Sequence, residues 1–166
     1  MLQRPSKDDY YLDIALAVSK RGTCLRRRFG AVIVNDDEIV STGYVGAPRG
    51  TPNCLDIGEC PRQKAKIPPG ERYELCRSVH AEANAIISAS RRRMIGGKLY
   101  LAGQDLENNE ALVEAHPCKM CKRMIINAGI VEVITRTADG GIKKWQVADW
   151  VKNDITEFTP ENIKGY

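Results

Sequence analysis

A chain of 166 residues, 43% hydrophobic and 28% charged, is long enough to close one domain around a sizeable core and short for two. The opening MLQRPSKDD carries no apolar stretch of signal-peptide kind, and no run approaches the ~18 apolar residues of a membrane span, so the expectation is a cytoplasmic protein without membrane contact. With a net charge of +4 and 6% aromatic residues, the clusters Arg26-Arg27-Arg28 and Arg91-Arg92-Arg93 read as solvated faces or contacts with a small phosphate rather than as a nucleic-acid-binding stripe.

In chain order, residues from about Asp8 to Lys20 have the pattern of an amphipathic helix, with Tyr11, Leu12, Ile14, Ala15 and Val18 toward a core and Gly22 as its stop. The runs AVIV (31–34) and IVSTGY (39–44) read as strands joined by a hairpin loop of about four residues, Asn35 to Glu38. Residues 45–79 form a loop-rich insertion holding five prolines and three of the six cysteines, a length that is uncommon unless it serves a function. From Val79, HAEANAIISA reads as a helix with an apolar stripe of Ala83, Ile86, Ile87 and Ala89. KLYLA (98–102) reads as a strand and 103–116 as a polar connection. MCKRMIINAG follows as a helix between Pro117 and Gly129, and VEVITR (131–136) as a strand. A last helix, about Lys143 to Lys152, brings Trp145, Val147, Ala148 and Trp150 within reach of the core. The order implies an α/β fold, a mixed central sheet of about five strands flanked by helices in three layers.

The chemistry concentrates in His80-Ala81-Glu82 and Pro117-Cys118-Lys119-Met120-Cys121. An imidazole and two thiolates are one of the ligand sets of a catalytic zinc, which keeps three protein ligands and leaves the fourth position to water. Cys118 and Cys121, three residues apart, share one helix face, and a helix N-terminus favours the thiolate. Glu82, two residues beyond His80, is the proton shuttle that such a water needs. Alone, the Cys-x-x-Cys pair is equally a redox pair and the histidine a core or surface residue. Together and in this order they form the signature of zinc deaminases of cytosine and adenine, in which the glutamate is not a ligand.

Cys24, Cys54, Cys60 and Cys76 remain, the number for a closed structural zinc site. They either hold a second zinc that pins the 45–79 insertion or pack as small apolar groups. For a phosphate, Arg28 and Arg49 are the candidates, one before the first strand and one in the glycine-rich stretch 43–50.

The segment FGAVIVNDDEIVSTGYVGAPRG, followed by HAEANAII, LYLAG, PCKMC and INAGIVEVI, resembles the deoxycytidylate deaminases of the cytidine deaminase-like superfamily over about residues 8–140. The resemblance implies that residues 1–166 form one zinc-dependent deaminase domain that converts dCMP and water to dUMP and ammonia. It also implies a homo-oligomer that responds to dCTP and dTTP, with the Ala81 backbone facing the pyrimidine carbonyl and the His116 carbonyl receiving the leaving amine. Tyr44 and Val45 stand in the substrate-loop motif Gly43 to Gly50, where Val45 replaces the common asparagine and, unlike an amide, can neither donate nor accept. His116 stands where serine or threonine is usual. The rival expectations are a deaminase of cytidine or CMP, or of a base in RNA or single-stranded DNA, and a zinc-stabilised binding module for which Glu82 would be dispensable.

Overall fold

In a computed structural model that describes residues 3–68 and 70–154, six strands form one mixed sheet: β1 (Arg27–Asn35), β2 (Glu38–Tyr44), β3 (Lys98–Asp105), β4 (Ala111–Leu112), β5 (Glu132–Arg136) and β6 (Ile142–Gln146). The order across the sheet is β2-β1-β3-β5-β6, with β4 paired to β3. Only β3 and β5 run parallel, and a parallel pair needs a crossover. The helix α6 (Lys119–Ala128) lies within it. The other helices are α1 (Lys7–Ser19), α4 (Ala81–Ile87), α7 (Val147–Lys152) and the single turns α2 (Cys54–Ile57), α3 (Pro61–Lys64) and α5 (Arg91–Met94).

Alternation along the strands makes two cores. Ala31, Ile33, Leu99, Leu101 and Val133 face one side, where they meet Ala81, Ala85, Ile125 and Trp150 of α4, α6 and α7. Val32, Val34, Tyr100, Ala102 and Ile134 face the other and pack on Tyr11, Leu12 and Ala15 of α1. The three layers expected from the element order are therefore present, with one strand more than the five expected.

The structure corrects several local expectations. The β1–β2 loop has two residues, because Asn35 pairs with Glu38 and leaves Asp36 and Asp37 at φ 48° and 64°, the double positive φ of a tight hairpin turn. The 45–79 stretch is not plain loop. Asn53 caps α2 through a reciprocal capping box with Asp56, and Gly58 ends it at φ 78°. On α4 the buried residues are Ala81, Glu82, Ala83 and Ala85, while Ile87 is 74% exposed. Of the stripe read into it, Ala83 is buried, Ile86 and Ala89 pack half-buried on the core, and Ile87 alone turns outward. The polar 103–116 connection contains the end of β3 and all of β4. The first half of the expected last helix is strand β6, returned from β5 by a turn in which Thr137 N donates to Gly141 O and Gly140 sits at φ 86°. Val147 and Trp150 are buried as expected, whereas Ala148 is exposed.

Candidate active site

The two chemical motifs meet at the N-termini of α4 and α6. His80 is the N-cap of α4, and Cys118 is the N-cap of α6, its sulfur accepting from Cys121 N. What brings α4 to this place is the Gly43–Gly46 segment. A Cβ on Gly43 would lie 2.3 Å from Ala85 N and 2.4 Å from Ala81 O, so only glycine lets β2 touch the helix backbone. Asn84 Nδ2 donates to Tyr44 O at 2.8 Å, and Gly46 and Val79 exchange backbone hydrogen bonds of 3.1 and 2.8 Å. Val79 immediately precedes His80, so this bridge fixes where the imidazole points.

His80 Nδ1 lies 3.5 Å from both Cys118 Sγ and Cys121 Sγ. Among the described residues these three are the group of potential ligands whose donor atoms all lie within 4.8 Å of one another. The two thiols hydrogen-bond to one another, which moves them in opposite directions. Hydrogen bonding from Cys121, and then from His80, holds the Cys118 thiol down at about 4, while the same bond to Cys118, with burial, pushes Cys121 up. The Cys118 contact in turn raises His80 against the effect of its burial. The set thus combines soft and borderline donors, and it fits a tetrahedral zinc with one position left over. Glu82, on the first turn of α4, is 5% exposed and forms no salt bridge among the described residues; burial raises its pKa above the usual carboxylate range, against the opposing effect of the neighbouring His80. A carboxyl whose pKa burial raises, beside a potential ligand triad, suits a group that both takes and gives a proton.

A cavity of about 250 Å³ opens onto His80, Ala81, Glu82 and Cys118. Val45 and His116 also line it, Val45 buried and His116 exposed. Tyr44, Arg28 and Arg49 do not: Tyr44 and Arg49 face outward, and Arg28 Nε is buried without a hydrogen-bond partner. The arginines on the cavity are instead Arg26, Arg27 and Arg62, joined by Phe29, Tyr73 and Glu114. The sequence holds a signal for the first two in the triple-arginine run, but none for Arg62 or Tyr73, whose positions depend on how the insertion folds back. Cys24, Cys60 and Cys76 line the same cavity, and all six cysteines are free. Burial, and then the proximity of Cys24, Cys60 and Cys76, raises the pKa of Cys54, so four separate segments bring these sulfurs into one neighbourhood, although not to the spacing of the His80 triad.

Residues 5–137 match the family model of the cytidine and deoxycytidylate deaminase zinc-binding region. The chain is 36% identical over 136 residues to the deoxycytidylate deaminase of Schizosaccharomyces pombe, covering 81% of this chain and 38% of that protein. It is 36% identical over 138 residues to the deoxycytidylate deaminase of Mycobacterium phage D29, covering 80% and 96%. It therefore spans well under half of the yeast relative and nearly all of the phage one. Among solved structures, the dCMP deaminase of cyanophage S-TIM5 in complex with dCMP and dUMP superposes with a TM-score of 0.59 at 25% identity, over 82% of this chain and 85% of that one. A cytidine deaminase from Burkholderia pseudomallei, at 16% identity and a TM-score of 0.54 over 84% and 92%, shares the fold. Among the described residues no helix is long and apolar enough to cross a membrane.

Proposed function

The chain belongs to the cytidine and deoxycytidylate deaminase family, and from that premise we propose that it is a zinc-dependent hydrolase converting dCMP and water to dUMP and ammonia, acting as one domain on free nucleotide in the cytoplasm. The observation that carries this reading is the meeting, in one cavity, of His80 Nδ1 at 3.5 Å from two cysteine sulfurs and of a buried Glu82. His80, Cys118 and Cys121 would hold the zinc. When bound, it supplies a water whose pKa falls from ~15.7 to roughly 7.

Glu82 does the proton work. Its raised pKa lets the carboxylate accept the water proton, deliver it to N3 of the pyrimidine as oxygen adds at C4, and later protonate the amine as the C4–N4 bond breaks. Ala81, buried at the N-terminus of α4, has its backbone available to the pyrimidine carbonyl, and the carbonyl of His116 receives the departing ammonia. Val45 gives the cavity an apolar wall where the family commonly has an amide.

Ammonia release from a panel of dCMP, CMP, deoxycytidine, cytidine and dCTP tests the reading. Preference for dCMP supports it; faster turnover of a base within an oligonucleotide would overturn it. The reading includes a homo-oligomer and a response to dCTP and dTTP, both measurable by light scattering with and without those nucleotides. It also includes a second, structural zinc at Cys24, Cys54, Cys60 and Cys76, supported by their common neighbourhood. Elemental analysis should then give two zinc ions per chain, falling to one in Cys60→Ser.

A further inference from the structure

The imidazole of His80 is aimed by packing rather than by a hydrogen bond of its outer nitrogen. Its Nδ1 faces Cys118 Sγ and Cys121 Sγ, 3.5 Å from each, so Nε2 on the other side of the ring points away from them. A metal-binding histidine ordinarily donates that second N–H to a carboxylate or a carbonyl, which fixes the tautomer and the orientation of the ring. Among the described residues no protein acceptor takes it, and the two sulfurs are the hydrogen-bond partners of the ring. The side chain makes no capping bond to α4 either. The Gly46–Val79 bridge therefore fixes where the side chain starts, and its two torsions are left to whatever packs against the ring.

Tyr73 packs there. The two rings stand at 89° with their centroids 5.2 Å apart, the edge-to-face geometry that aromatic quadrupoles favour. Tyr73 opens a short 3-10 turn, Tyr73–Leu75, which Cys76 N closes by donating to Tyr73 O at 2.9 Å. Its ring is held in turn by Arg62 of α3, whose Cζ lies 4.8 Å from the ring centroid, a cation over an aromatic face. That arginine is 7% exposed and cannot swing away, because its Nη2 donates to Pro68 O at 3.1 Å and to Glu71 O. The Tyr73 hydroxyl bonds to no described residue, so the contact with His80 uses the ring alone. A chain of three side chains thus runs from the folded-back insertion to the triad: Arg62 sets Tyr73, and Tyr73 meets His80.

We infer that Tyr73 is a positioning residue of the proposed zinc site, its ring holding the His80 imidazole with Nδ1 toward Cys118 and Cys121 in place of a hydrogen bond to Nε2. This rests on the reading of those three residues as ligands, and the test separates the two. Native protein, Tyr73→Phe and Tyr73→Leu are compared with zinc bound and with cobalt in its place. Tyr73→Phe keeps the ring and should match native protein within about 2-fold in every measurement. Tyr73→Leu should bind zinc about 10-fold more weakly in competition with a chelator, and the visible absorption bands of its cobalt form should shift. Its kcat for dCMP should fall about 10-fold with KM changed by less than about 2-fold.

Cobalt bands and zinc affinity that stay put in Tyr73→Leu overturn the assignment, whatever the melting temperature does, because a merely structural tyrosine would lower stability and leave the metal's surroundings alone. A rise in KM with the bands unmoved overturns it as well, making Tyr73 a substrate contact. So does a Tyr73→Phe protein that behaves like Tyr73→Leu, since the hydroxyl would then be the working group. Should Tyr73→Leu fail to fold, proton NMR of native zinc-loaded protein decides: cross-relaxation between the ring protons of His80 and Tyr73 is expected, and its absence overturns the assignment. Native protein that binds cobalt but releases no ammonia from any cytosine compound sinks the deaminase reading instead, and the zinc affinities and cobalt spectra still decide the role of Tyr73.

Discussion

Glu82 and Arg62 are both buried ionisable groups on the cavity wall, and they were unequally visible in the sequence. Glu82 stands two residues from the proposed ligand His80, so the role proposed for it follows from the motif. Replacing it by glutamine keeps the volume and removes the proton acceptor; turnover of dCMP should fall by about 10²–10⁴-fold with zinc content unchanged, measured by ammonia release and elemental analysis. Retained turnover would mean that another group carries the proton; native protein with no turnover at all would instead favour a binding module. Arg62 was illegible because nothing in Cys60-Pro61-Arg62-Gln63 distinguishes an arginine on a solvated loop from one folded back under Tyr73. For the same reason, proximity to the first strand and to the glycine-rich motif pointed to Arg28 and Arg49, neither of which lines the cavity. Sequence adjacency finds residues that share an element with the chemistry and misses those delivered by a returning loop.

At the scale of elements, the start of the Gly43–Gly50 stretch read as a substrate motif also has a packing role, because Gly43 to Gly46 seat β2 against α4 and thereby aim His80 and Glu82. Gly43→Ala would force its methyl into Ala81 O and Ala85 N, backbone atoms that cannot rotate away. It should destabilise the protein by about 2 kcal/mol or more and cost activity beyond what the lost stability explains, a difference that urea unfolding and kcat measured together would reveal. Elements with a strong period were legible: α1 ends within a residue of its expected span, and α6 is bounded by Cys118 and Gly129 as its caps. Strand β6 was not. Its Ile142-Lys143-Lys144-Trp145-Gln146 carries exposed lysines suited to a sheet edge, and Trp145 Nε1 reaches across to Thr135 Oγ1 at 3.4 Å. The local clue was Asp139-Gly140-Gly141, a turn signal that outranks the helix-like spacing of the apolar residues after it.

Across the whole molecule, the layer that carries the site is welded by apolar packing, while α1 on the opposite face adds a set of polar ties to the hairpin and the far strands. Lys7 reaches Asp37 in the β1–β2 turn; Asp8 accepts from Tyr100 on β3 and pairs with Lys144 on β6; Asp9 and Asp13 clamp the buried Arg136 on β5. Burial would raise Asp8, but the hydrogen bonds from Lys144 and Tyr100 outweigh it and leave its pKa below the usual 3.8; hydrogen bonds from Ser6 and Arg136 depress Asp9, and those from Lys7 and Tyr11 depress Asp37. A carboxyl whose folded pKa lies below its unfolded value contributes stability that is complete above the unfolded value and disappears as pH falls through the folded one. The melting temperature should therefore hold level from about pH 5 upward and drop below about pH 4, where these three carboxylates protonate. Acid also protonates the zinc ligands, so the comparison belongs in chelated protein, where the metal contributes nothing to the slope. There Asp8→Asn should lower the melting temperature at pH 7 and flatten its fall toward pH 3. An unaltered slope would mean that the ties of α1 are too solvated to matter, and that the apolar contacts of Leu12 and Ala15 alone hold the outer layer.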